Sequence, residues 1–170
     1  MRFLKCTKRV RDFLEIEVVS SINGDAPPRS LGNWYVHLFT ADRKRNLIFM
    51  NETTLLWFIV FGAKRSNVHS LSLIFRRGLE QLLIMESVRP QRIDRAISEY
   101  VELQFANAES RKSLGNLNDL ADRYKYNVLE AGGFDFVDVG RTIRDMNRMP
   151  QRNLDWRCSI EAAMEIINTV

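Results

Sequence analysis

Residues 31–54 read LGNWYVHLFTADRKRNLIFMNETT, and this stretch decides the fold. Two apolar runs, 34–39 and 47–50, flank a charged turn at 41–45, which predicts a β-hairpin. Successive side chains of a strand point to opposite faces of the sheet, so a slip of one residue would exchange the two faces. The apolar pattern therefore also fixes the pairing register of the two strands. Polar residues stand at both ends of the hairpin and mark one surface of interest.

Apolar periodicity and turn residues predict the elements around the hairpin. The continuous apolar run at 55–61 is typical of a strand buried on both faces. The remaining expectations are short strands at 2–6 and 101–105, a loop at 20–30, helices at 8–14, 67–86, 93–99 and 116–130, and a last helix from Ser159, with 137–146 ambiguous. We therefore expect one α+β domain spanning residues 1–170, with an antiparallel sheet around a central hairpin, packed by two main helices plus shorter ones.

Composition limits the class of protein. The chain has 170 residues, is 45% hydrophobic and carries a net charge of +4, which excludes a disordered chain and permits a nucleic-acid partner without requiring one. Two cysteines and two histidines predict neither a disulfide framework nor a metal site, and we expect no cofactor. The longest apolar run, 55–61, is far shorter than the ~20 residues of a membrane span, so we expect a cytoplasmic protein with no membrane partner.

The first candidate site is the polar rim of the hairpin. Asn33, Asn51 and Thr53 lie at strand ends, where their side chains bind a ligand or close turns on their own backbone. Trp34 or Tyr35 would offer a face on which a base stacks. His37 is a candidate general base, although a histidine with no paired nucleophile is more often structural.

Two further candidates are basic. Arg43, Lys44 and Arg45 form a hairpin tip that would grip phosphates, or a solubilising turn that discourages strand pairing at an edge. The segment 107–119, NAESRKSLGNLND, would present Ser110, Arg111 and the free N–H groups of a helix N-terminus to an anion. The alternative there is ordinary capping, with Asn116 as the N-cap and Asp119 in the first turn.

These motifs, in this order, resemble a bacterial domain family of unknown function. That family also forms the N-terminal part of proteins related to the ORF-3 protein of an agrobacterial root-inducing plasmid. The matching positions are Leu31, Gly32, Asn33, Trp34, Tyr35, Arg43, Lys44, Asn51, Thr53, Ser110, Arg111, Leu114, Gly115, Asn118 and Asp119. The resemblance covers about residues 1–150 and implies a bacterial cytoplasmic protein associated with mobile elements. It implies no reaction.

Two function hypotheses follow from these residues. The leading one is a non-catalytic binding module for a polyanion, such as nucleic acid, or for a protein partner, and a homo-oligomer is a further alternative. Its binding residues would be Asn33, Trp34, Tyr35, Arg43, Lys44, Arg45, Asn51, Thr53, Ser110, Arg111 and Asn118. The runner-up is a hydrolase or nuclease-like toxin in which His37, Arg111 and Asp119 converge in one pocket.

Overall fold

The computed structural model describes residues 1–19 and 30–169, so the predicted loop at 20–30 lies outside the described residues except for Ser30. Five strands form one sheet in the order β4-β3-β2-β1-β5: β1 (Arg2–Cys6), β2 (Trp34–Ala41), β3 (Lys44–Asn51), β4 (Trp57–Phe61) and β5 (Leu103–Asn107). The helices are α1 (Lys8–Leu14), α2 (Leu71–Met85), α3 (Pro90–Ser98), α4 (Arg111–Glu130), α5 (Val139–Asn147) and α6 (Ser159–Asn168). None of these helices is both long and apolar enough to cross a bilayer.

The central hairpin is confirmed, and its turn is tighter than predicted. β2 and β3 pair antiparallel from Trp34 opposite Asn51 to Ala41 opposite Lys44. The turn therefore holds two residues, and both adopt positive φ angles, 45° and 63° for Asp42 and Arg43. A two-residue turn of this kind matches the right-handed twist of the flanking strands.

The α+β class is confirmed, and the sheet is mixed. β2, β3 and β4 are antiparallel as predicted, whereas β1 runs parallel to both β2 and β5. Parallel neighbours need a crossover connection, which α1 supplies between β1 and β2. The long connection through α2 and α3 returns the chain from β4 to β5 at the far edge.

Helices cover both faces of the sheet. The ring of Phe75 in α2 packs on Trp34 with centroids 5.3 Å apart, and the ring of Tyr124 in α4 packs on Phe39 at 5.9 Å. Residues 34 and 39 of one strand point to opposite faces. The two main helices therefore lie on opposite sides of β2, and the hairpin strands are buried on both faces.

Gly78 in the middle of α2 allows the helix to approach β4. A Cβ at this position would lie 2.3 Å from Cε2 of Phe58, a core ring that is 2% exposed. Alanine usually stabilises a helix interior by about 1 kcal/mol relative to glycine. Here we expect the opposite: Gly78→Ala should lower the free energy of unfolding by about 1–3 kcal/mol, because the ring of Phe58 must shift to make room for the methyl group.

Urea unfolding followed by circular dichroism measures this change in unfolding free energy. Gly115→Ala in α4 is the matched control, because a Cβ there meets nothing within 4 Å. A stabilised Gly78→Ala variant would show that the Phe58 ring accommodates the methyl group without cost.

Candidate functional site

A polar cluster joins β1, the start of β2 and the segment after β3. Glu52 Oε1 accepts hydrogen bonds from Lys5 Nζ at 2.5 Å and Tyr35 Oη at 3.1 Å, and Glu52 Oε2 accepts one from Asn33 Nδ2 at 3.1 Å. Asn33 Oδ1 in turn accepts from the backbone N–H of Phe3 at 3.1 Å. Asn33 and Tyr35, both predicted to bind a ligand, therefore use their polar atoms to hold strands together. Sequence reasoning placed Glu52 in the polar rim of the hairpin but did not assign Lys5 to a site.

Asn51 closes the turn after β3. Its side chain is fully buried, and Oδ1 accepts from the backbone N–H groups of Thr53 at 3.1 Å and Thr54 at 2.9 Å. Nδ2 donates to the carbonyl oxygen of Leu31 at 2.7 Å. The structure thus favours the turn-closing alternative for Asn51, whereas the side chain of Thr53 is exposed.

Trp34 and Tyr35 lie in the core, 0% and 1% exposed. Trp34 Nε1 donates to Tyr100 Oη at 2.8 Å, and Tyr100 Oη donates to the carbonyl oxygen of Gly32 at 3.0 Å. The stacking role expected for the two aromatic residues needs correction, because helices on both faces of the sheet leave neither ring a free face.

The cations of the hairpin tip contact aromatic rings of the same chain. Lys44 Nζ lies 3.9 Å from the centroid of the Phe134 ring, and the Arg45 guanidinium lies 5.1 Å from that of Phe13. Cation–π contacts hold both groups in place without removing their charge. Arg43, Lys44 and Arg45 all remain exposed.

The hairpin tip and Arg111 lie at opposite ends of α4. Asp42 Oδ2 accepts from the backbone N–H of Phe134 at 2.7 Å, just beyond the C-terminal end of that helix. Arg111 begins the helix, whose 20 residues span roughly 30 Å. Ser110 caps it by accepting from the backbone N–H of Ser113 at 3.2 Å. The two basic motifs therefore do not form one compact site.

The expected loop at 107–119 is mostly helix. α4 begins five residues before the predicted N-cap Asn116, because Ser110 provides an earlier cap and a buried stripe through Leu117 supports the first turns. Asn118 is exposed on this helix. Asp119 lies two turns inside it, where it lines a small cavity of about 40 Å³.

His37 is a buried, neutral histidine. It is 8% exposed, and its Nδ1 lies 3.1 Å from Thr7 Oγ1. The pKa of His37 is lowered from its usual 6.5 to about 4, mainly by burial and to a smaller extent by the positive charges of Arg9 and Lys125, while Asp122 opposes the shift. This environment suits a structural histidine more than a general base, whose pKa would lie near neutrality.

The predicted catalytic residues share no hydrogen bond or ion pair among the described residues. Arg111 and Asp119 stand roughly 12 Å apart along α4, and Asp119 lines a small cavity that does not include His37. The charges of α4 that shift the pKa of His37 are those of Asp122 and Lys125. The geometry therefore gives no support to shared acid–base chemistry among His37, Arg111 and Asp119.

The lowered pKa of His37 predicts acid destabilisation. As pH falls below 6.5, His37 binds a proton in the unfolded chain, whereas in the folded chain it stays neutral until the pH approaches about 4. Stability is therefore lost across that window, by at most about 3 kcal/mol. Urea unfolding between pH 7 and 4 measures the loss.

His37→Gln isolates this contribution from the carboxylates that titrate in the same range. We expect a shallower fall in stability for His37→Gln than for the native chain, and no change of slope for the control His69→Gln, at an exposed residue. Identical slopes for the native chain and His37→Gln would contradict the buried neutral histidine.

An apolar groove of about 550 Å³ runs along β4, and we call it the β4 groove. Residues 58–61 of β4 form its floor, and α2 and α5 form its walls. The wall residues include Ile74, Arg77, Leu82 and Met85 on α2, and Val139, Gly140 and Ile143 on α5. The described residues that line it include no acidic side chain.

Sequence reasoning missed this groove because its residues look like ordinary core. The run 55–61 was interpreted as a strand buried on both faces, whereas β4 is an edge strand and Phe61 is 39% exposed. A continuous apolar run predicts burial, but periodicity alone cannot tell a central strand from an edge strand flanked by helices.

Among the residues described, no three histidine, cysteine, aspartate or glutamate side chains gather where they could hold a metal ion. Comparison with curated proteins finds no match. A family model, described as a domain of unknown function (DUF6933), matches residues 3–162. This match carries no information on a bacterial origin or on a relationship to ORF-3 proteins. Because it covers most of the chain, the chain belongs to the DUF6933 family.

Proposed function

We propose that this protein is a one-domain, non-catalytic binding module whose partner is a protein that places apolar side chains in the β4 groove. The apolar lining and the volume of about 550 Å³ carry this proposal, since ligand sites usually measure about 300–1,000 Å³. The groove is open to solvent rather than enclosed. An open groove leaves much of a small molecule in water, whereas side chains that project from a larger partner are covered by that partner.

The other expected sites give weaker support to a function. The polar rim of the hairpin uses its hydrogen-bonding atoms internally. Two of the proposed catalytic residues, Arg111 and Asp119, stand roughly 12 Å apart along α4. The β4 groove is different, because its apolar surface has no covering element among the described residues.

The apolar dye 8-anilinonaphthalene-1-sulfonate tests whether the groove binds apolar groups. In protein labelled at isoleucine methyl groups, we expect the NMR signals of Ile59, Ile74 and Ile143 to shift on titration with the dye. The signals of Ile48 and Ile93, which do not line the groove, should stay in place. Shifts spread over all isoleucines, or none, would overturn the proposal.

A pair of glycine variants controls for nonspecific dye binding. Gly140→Leu fills the groove from α5, where a Cβ lies 3.3 Å from the flexible end of Met85, and should abolish the shifts. Gly115→Leu adds the same side chain to open surface on α4, and should preserve them. Dye binding that survives in Gly140→Leu would place the dye elsewhere.

A second candidate is polyanion binding at the hairpin tip. Three consecutive exposed cations support it, and Arg43 occupies a φ of 63° where glycine or asparagine is usual. We expect single-stranded RNA to bind with an affinity that falls steeply with salt. Arg43→Glu should weaken binding, while Arg123→Glu, on exposed surface of α4, should not. Salt-insensitive binding, or no binding at low salt, would count against this candidate.

The cellular setting belongs to the proposal as well. The order of the two sequence motifs around Asn33 and Arg111 supports the proposal that this is a cytoplasmic bacterial protein, related to ORF-3 proteins and associated with mobile elements. Fractionation of the source cell tests the location, and recovery of the chain in a membrane or extracellular fraction would contradict it.

A further inference from the structure

The outer edge of β4 presents backbone groups to the β4 groove. Among the described residues, the order β4-β3-β2-β1-β5 leaves β4 with a sheet partner on one side only. At the opposite edge, the carbonyl oxygen of Phe105 in β5 accepts a hydrogen bond from the N–H of Val19. The edge of the sheet formed by β4 is the one that lines the groove.

Asn147 shows which β4 residues point outward. Its Oδ1 accepts from the N–H of Trp57 at 3.1 Å, and its Nδ2 donates to the carbonyl oxygen of Trp57 at 2.8 Å. The N–H and C=O of one residue point to the same side of a strand and alternate along it. Ile59 and Phe61 therefore turn the same groups outward, and among the described residues neither has a hydrogen-bond partner on that side.

The side-chain amide of Asn147 imitates one residue of a neighbouring strand. An antiparallel neighbour exchanges both hydrogen bonds with a single residue, as the amide does with Trp57. An antiparallel peptide could satisfy Ile59 and then Phe61 without needing Trp57. A parallel peptide would leave an N–H facing the occupied carbonyl of Trp57.

Charge at the mouth of the groove limits the peptide further. Arg77 lines the groove, and Lys64 and Arg65 follow β4 where the strand ends at Phe61; all three are exposed, and none has an ion-pair partner among the described residues. Asp138 lies near Gly140, but its carboxylate caps α5 by accepting from the N–H of Arg141. The mouth is therefore basic and the interior apolar.

From these observations we propose that the β4 groove binds an extended peptide segment of a partner protein, which adds to β4 as an antiparallel strand. The segment has alternating apolar residues, and acidic residues precede them at its N-terminal side, where it leaves the groove past Phe61 towards Arg77 and Lys64. Backbone hydrogen bonds to Ile59 and Phe61 give affinity, and the apolar walls select the side chains. This inference rests on the proposed function and specifies how the partner enters the groove.

A phage-displayed library of random dodecapeptides is the probe. We expect selected peptides to carry acidic residues before an alternating apolar run. On binding, the amide hydrogens of Ile59 and Phe61 should become protected from exchange, while those of Phe58 and Val60, which face β3, should change little. The backbone nitrogens of a selected peptide can be methylated one at a time. We expect binding to weaken by about tenfold (~1.4 kcal/mol) at every second position and to be unchanged at the positions between them.

Two variants and their controls complete the experiment. Gly140→Leu should abolish peptide binding and Gly115→Leu should not. Arg77→Glu should weaken the binding of acidic peptides, whereas Arg123→Glu, on exposed surface of α4, should not. A library without binders, or binders that leave Ile59 and Phe61 unprotected, would overturn strand addition. If the dye still shifts the groove isoleucines in that case, the proposed function stands and only the strand mode fails.

Discussion

Asn51→Asp is expected to destabilise the protein by about 4 kcal/mol at neutral pH. The side chain is fully buried, and its Nδ2 donates to the carbonyl oxygens of Leu31 at 2.7 Å and Asn33 at 3.3 Å. An introduced carboxylate would face those two oxygens with no hydrogen to offer. The acceptor bonds from Thr53 and Thr54 would survive, so the loss reports the two donated bonds and the buried charge.

The pH dependence identifies the cause of that loss. Burial against carbonyl oxygens raises the pKa of the introduced carboxyl above its unfolded value, so the penalty applies at neutral pH and is relieved as pH falls and the group binds a proton. We expect the stability gap between Asn51→Asp and the native chain to narrow between pH 7 and 5 in urea unfolding. Thr53→Ala, in the same turn but exposed, should change stability by less than about 0.5 kcal/mol. A loss below about 1 kcal/mol for Asn51→Asp would mean that the turn rearranges around the carboxylate.

The local sequence predicted most of the elements because alternation and helical spacing are local signals. The hairpin, α2 and the C-terminal helix came from such patterns, with boundaries displaced by a few residues. The parallel pairing of β1 with β2 and β5 could not be predicted, because it depends on crossovers that pattern does not encode. The early start of α4 was missed because Ser113, Gly115 and Asn116 favour a loop locally, whereas the cap at Ser110 and the buried stripe favour the helix.

The candidate site was less predictable than the fold. Asn33, Asn51 and Tyr35 were found by their polar character, but polar residues in a strand-rich motif serve internal hydrogen bonds as readily as ligands. Trp34 and Tyr35 were assigned an exposed face that only a sheet open on one side would give them. The β4 groove depends on the position of β4 at the sheet edge and on the approach of α5, and both are tertiary facts.

Asn147→Leu is expected to destabilise the protein by about 4 kcal/mol, because it removes both hydrogen bonds that Asn147 makes with the backbone of Trp57 in β4. Asn147 is fully buried and is the hydrogen-bond partner of both backbone groups of Trp57. Leucine has the same number of side-chain heavy atoms and leaves no cavity, so the main cost arises from leaving a buried N–H and a buried C=O unpaired, about 1–3 kcal/mol for each. Urea unfolding measures the loss, and Asn153→Leu, at an exposed asparagine, is the matched control.

Amide exchange distinguishes this cause from a general loosening of the helix packing. In Asn147→Leu the N–H of Trp57 loses its only acceptor among the described residues, so its hydrogen should exchange faster. The N–H of Phe58 points to β3. Its exchange should accelerate only as much as the lower global stability of the variant requires. Equal acceleration at both amides would assign the loss to a displaced α5. Because the same alternation exposes Ile59 and Phe61 to the groove, a selective effect at Trp57 would also establish the backbone orientation on which strand addition depends.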